Sequence, residues 1–161
     1  MTRMRLLTLM LVMISAGDIA FPSIVLSANA QELSKETSNQ KVNMMKIRID
    51  ADGREITATL NDNATSRDFI ALLPMTLTLK DYASTEKVSD LPGRLSTQGA
   101  PGGYEPSTGD ITYYAPWGNL AIFHKNFQYS TGLIKLGSLD SGIEILRRGG
   151  DIKVTIQQAE K

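Results

Sequence analysis

From Met45 onward the chain is written in short runs of alternating apolar and polar residues, separated by Gly, Pro and Asp-Gly punctuation. A period of two puts every second side chain on one face, so each run can bury only one side and must pair with neighbours to do so. Ile47 and Ile49 share a face, Ala51-Asp52-Gly53 makes a turn, and Ile56, Ala58 and Leu60 return as a second strand. Asp followed by Gly supplies the positive φ that a tight hairpin turn needs. Met75, Leu77 and Leu79 alternate with Thr76, Thr78 and Lys80. Further strands are expected over residues 86–91, 110–115, 119–124, 133–139 and 151–157, with Ala115-Pro116-Trp117-Gly118 turning between two of them.

Helical spacing occurs only twice. After Asn61, Thr65 and Asp68 have the spacing of a capping box with Asp in place of Glu, Phe69, Leu72 and Leu73 fall on one face, and Pro74 ends the run. Residues 141–148 read as a helical turn capped by Asp140 and closed by Gly149-Gly150. Seven or eight short strands, one or two helices, no β-α-β rhythm and no internal repeat predict a mainly β fold: an antiparallel barrel plugged by helices. At 161 residues, 42% of them hydrophobic, the chain suffices for one such domain.

Residues 1–30 read as a secretory signal. Arg3 and Arg5 precede an apolar stretch over residues 6–16, and Ala28-Asn29-Ala30 offers a cleavage site before Gln31. A helix of eleven residues rises about 16 Å, short of the roughly 20 residues a bilayer needs, so no membrane span is expected once the leader is removed. Residues 31–44 are nearly devoid of apolar side chains and read as a flexible linker, leaving residues 45–161 as the domain. The expectation is a periplasmic or secreted protein; initiation at Met44 or Met45 is the alternative and would leave a cytoplasmic one.

Charge and composition exclude several functions. Acidic and basic residues balance at 17 each, which offers no footprint for nucleic acid. There is no cysteine, hence no disulfide, thiol nucleophile or thiolate metal site. His124 is the sole histidine, which removes multi-histidine metal centres. Asp140 and Glu144 have the spacing of one helical face without a companion ligand, and Asp81 and Glu86 flank a turn as solvated charges would. No metal and no cofactor is implied, and no feature specifies an oligomeric state.

What remains is an aromatic cluster beside an unusual loop. Residues 92–109 contain Pro92, Gly93, Gly99, Pro101, Gly102, Gly103 and Pro106, and a loop of that length in a compact domain commonly lines or covers something. Close by in sequence lie Tyr113, Tyr114, Trp117, Phe123, Phe127 and Tyr129, which either fill the core or line a groove.

The runs LPMTLTLKDY, LPGRLSTQGAPGGYEPSTGDITYYAPWGNLAIFHK and STGLIKLGSLDSGIEIL resemble the bacterial cyclophilin-like domain family, most specifically in GDITYYAPWGNLAIF. The resemblance covers nearly all of residues 45–161 and implies a closed eight-stranded barrel capped by helices. It does not imply an activity. Cyclophilin isomerases carry an arginine in an F-H-R motif with Gln-Gly several residues later, whereas here Arg94 follows Pro92-Gly93 and Gln98-Gly99 comes too soon after it.

The first functional expectation is therefore a binding module for a peptide or small molecule, built from Arg94, Gln98, Tyr113, Trp117, Phe123 and His124. The alternative is a prolyl isomerase with a degenerate site, in which Arg94 polarises the prolyl carbonyl; lowering a barrier of roughly 20 kcal/mol by desolvating and twisting an amide needs no nucleophile or metal. A third reading is a partner-binding periplasmic protein without a small ligand.

Overall fold

The alternation becomes paired strands in the computed structural model of the chain, which describes residues 45–159; the leader and linker expected over residues 1–44 lie outside the described residues. β1 (Met45–Ala51) and β2 (Arg54–Leu60) form a hairpin across Asp52 and Gly53, both at positive φ, 53° and 76°. Then follow α1 (Ala64–Ala71), β3 (Met75–Tyr82), β4 (Glu86–Asp90) and the long loop, which contains the two-residue β5 (Gly103–Tyr104). β6 (Asp110–Tyr114), β7 (Asn119–Phe123), the two-residue β8 (Ser130–Thr131), β9 (Leu133–Leu139), α2 (Ile143–Leu146) and β10 (Ile152–Gln158) complete the chain.

Eight strands close into an antiparallel barrel in the order β1, β10, β3, β4, β7, β6, β9, β2, so that β2 returns to β1 and no ladder is left open. β5 and β8 pair separately. Ile47, Ile56, Leu79, Ile111, Leu120, Leu136 and Val154 are almost completely buried in the interior, as the period-two pattern requires. The chain leaves β2 and enters β3 at one end of the barrel, and leaves β9 and enters β10 at the other. The two helices therefore close opposite ends, α1 inserting Phe69 and α2 inserting Ile145 and Leu146. Among the described residues no helix is long and apolar enough to cross a membrane.

The caps differ from the sequence expectation. The N-cap of α1 is Asn63, whose side chain accepts from Ser66 N at 2.8 Å. Thr65 instead donates to Ser96 O at 2.7 Å while Asp68 accepts from Ser96 N at 2.8 Å, so the supposed capping box clamps the long loop onto the helix. Gly142, not Asp140, caps α2; Asp140 accepts from Thr59 Oγ1 at 2.9 Å and pairs with Lys46 across the strands. Spacing alone does not distinguish a side chain turned toward its own helix from one turned toward a distant segment.

Candidate functional site

β7 departs from the rule that built the barrel, because all five residues, Asn119-Leu120-Ala121-Ile122-Phe123, are buried. Leu120 and Ile122 face the interior, so Asn119, Ala121 and Phe123 are covered from outside. The pairing register carries the outer face across neighbouring strands: Glu86 lies opposite Phe123, Val88 opposite Ala121, Tyr82 opposite Glu86, and Tyr114 opposite both Asn119 and Leu133. Together with Trp117 from the β6–β7 turn and Phe127, Ser130 and Thr131 from the segment after β7, these side chains line a groove of about 360 Å³ on the outer wall. That volume suits a small ligand or one or two side chains of a peptide.

Its walls are aromatic. Trp117 stands edge-to-face against Tyr82 at 5.9 Å and 85° and against Tyr114 at 5.3 Å and 83°, while Phe123 stacks on Phe127 at 6.2 Å. Trp117 remains 60% exposed at the rim, and Tyr82 44%. The groove's polar side chains contrast with these walls. Glu86 is only 9% exposed, and burial pushes its carboxyl up to about 7. Asn119 Oδ1 is buried without a hydrogen-bond partner. Glu86 is thus not the solvated turn charge that sequence suggests, whereas Asp81, on the opposite face, stays exposed as expected.

On the inner face the charge is matched. Lys87, whose side chain is fully buried, lies 2.6 Å from Asp81 Oδ1 and donates to Gly150 O at 2.7 Å, and Gly150 N donates to Asp81 Oδ2 at 2.7 Å. The Lys87 hydrogen bond, then that of Gly150, holds Asp81 below the usual carboxylate range. His124, next to Phe123 but on the face of Ile122, is buried with Nδ1 unpartnered; burial, then the nearby Lys125 and Lys87, holds its imidazole below the usual value.

The residues singled out from sequence are thus dispersed. Trp117 and Phe123 line the groove. Tyr113 points inward, 1% exposed, its hydroxyl accepting from Leu95 N at 3.3 Å. Arg94 does not line the groove: its guanidinium donates to Ala115 O at 2.6 Å and lies against Gly118, bracing the turn that presents Trp117. Gln98 lines a separate depression of about 240 Å³ with Asn63, Tyr104 and Lys135. The groove residues missed by sequence reasoning include Tyr82, Glu86, Val88, Asn119 and Leu133. One signal for them was present, since the unbroken Leu-Ala-Ile-Phe of β7 marks a strand covered on both faces. Among the described residues no group of three or more His, Cys, Asp or Glu side chains is placed to hold a metal ion.

Comparison with known proteins points one way. The profile of the cyclophilin-like family matches residues 49–157. The solution structure of a hypothetical protein from Archaeoglobus fulgidus is similar with a TM-score of 0.52 at 19% identity, covering 72% of this chain and 95% of that one, a likeness of fold. No curated protein matches the chain.

Proposed function

Since the chain belongs to the cyclophilin-like family, a membership that specifies the barrel and not its use, we propose that the protein is a binding module whose outer groove takes a small molecule or a peptide segment with a substantial apolar part. The observation that carries this is the apolar outer face of β7, walled by five aromatic rings from different segments yet left open at Trp117. Burying further apolar surface there is favourable at about 25 cal/mol per Å², and the rings are already held in place by one another. The Ala28-Asn29-Ala30 signature supports export, which would present the groove to periplasmic or extracellular solutes.

Trp117 is the only tryptophan, so its emission reports on the groove directly. Titrating the protein with aromatic and aliphatic small molecules and with prolyl peptides should give a saturable spectral shift for at least one class. Phe123→Ala should weaken that ligand by about tenfold, the loss expected when a ring contact worth roughly 1.4 kcal/mol is removed. Unsaturable, featureless titrations across every class would overturn the proposal.

A further inference from the structure

Resting on that binding role, we infer that the groove selects an organic cation, an ammonium joined to an apolar group, with its charge beside Glu86 and the rings of Tyr82, Tyr114 and Trp117. Among the described residues Glu86 is the one charged residue lining the groove, so charge complementarity favours a positive ligand and rejects an anionic one. Its carboxyl forms no ion pair among the described residues, and burial alone accounts for its perturbation. The neighbouring Lys87, on the opposite face, is satisfied by Asp81 and Gly150 and does not serve it.

Two further features favour the same ligand. Asn119, which lines the groove four residues along β7 from Phe123, adds a polar side chain to the lining and no competing cation. The ring of Trp117 is nearly perpendicular to both tyrosines, so the three rings do not lie parallel and their faces point in different directions; a cation within about 6 Å of any one face is attracted to it. A neutral Glu86 donating to a ligand carbonyl would leave the π-faces unused.

Glu86 lies between Tyr82 on β3 and Phe123 on β7, and among the described residues no other charged side chain lines the groove. Cation binding is therefore coupled to ionisation of this one carboxyl. A bound ammonium displaces the proton, and affinity should rise about tenfold from about pH 6 to about pH 8 and level off above that.

The test is calorimetric titration, with Trp117 emission in parallel, of phenethylamine, the neutral isostere 2-phenylethanol, phenylacetate and an end-blocked tripeptide with a central lysine. Phenethylamine or the lysine peptide should bind at least about tenfold more tightly than 2-phenylethanol at alkaline pH, with affinity rising as pH rises. Phenylacetate should be the weakest. Binding of the peptide alone would assign the source of the ammonium to a lysine side chain, and of phenethylamine alone to a free amine. Glu86→Gln should erase the advantage of the amine over the alcohol, and a cooperative thermal melt of the variant shows that it is folded. Equal binding of alcohol and amine, an unaltered amine affinity in Glu86→Gln, or an amine affinity that falls with pH would overturn the cation assignment and leave the groove's binding role standing. Silence from all four probes would overturn this inference, and silence across the wider set of ligand classes would overturn the binding role as well.

Discussion

Two adjacent residues on β4 show how burial and partnership separate. Lys87 is fully buried but satisfied, whereas Glu86 is buried on the groove side without a cation. Their consequences for stability have opposite signs. Asp81, held ionised by Lys87, contributes stability that is present above its unfolded value and is lost as acid protonates it. Glu86 is raised from 4.5 to about 7, so the folded state keeps a proton that the unfolded chain releases, and stability falls as pH rises through that interval before levelling off. Full burial would set the loss at about 3 kcal/mol, and water reaching the open groove reduces it to about 1–2 kcal/mol. Glu86→Gln, which cannot ionise, should therefore be more stable than the wild type by about 1–2 kcal/mol near pH 8 and nearly equal to it near pH 4.5. Urea unfolding at both pH values checks this, and a pH-independent difference would refute the assignment. Nothing in the order Tyr-Ala-Ser-Thr-Glu marks Glu86 as buried; its environment comes from Phe123, which lies opposite it, and from Phe127, far along the chain.

At the scale of elements, the most constrained place is the corner where β9 leaves β6 for β2. β2 and β9 are joined by three residue pairs, and the β6–β9 ladder shifts register between Ile111 and Thr112, so that Ile111 pairs with Gly137 and Thr112 with Lys135. A Cβ on Gly137 would lie 2.3 Å from Thr59 O and 2.7 Å from Leu60 Cα, both backbone atoms that cannot rotate away. Gly137→Ala should force the strands apart at a cost of about 1–3 kcal/mol. The expected signs are a lowered Tm and faster amide exchange at Leu60 and Leu136; an unchanged Tm would show that the corner relaxes freely. Element positions were largely legible beforehand, since the runs at Ile47, Met75, Leu133 and Ile152 each became a strand where the alternation placed it. The β5–β8 pair was not, because two residues carry too little alternation to register.

For the whole molecule, the decisive fact is that the last strand sits between the first and the third. β10 pairs with β1 through Ile49 and Ile156 and with β3 through Leu79 and Ile152, so the barrel cannot close until the C-terminal residues are in place. Deleting residues 152–161 would open two edges and remove Ile152, Val154 and Ile156 from the core. Such a chain should lack a cooperative unfolding transition and near-ultraviolet dichroism, and a sharp melt would contradict the dependence on closure. Because that closure joins distant segments, folding should be slow relative to helical domains of the same size.

The period of two, the Asp-Gly turn and the two short helical patterns are properties of neighbouring residues, and for that reason strand positions and the barrel class could be derived from the amino-acid order alone. Which strands lie side by side, and what covers the outside of the sheet, depend on contacts between segments far apart in the chain. Tertiary structure alone therefore decided that Tyr113 turns inward, that Arg94 braces a turn, and that Gln98 lies in another depression. The same long-range packing brought Tyr82, Glu86, Trp117 and Phe127 to one groove.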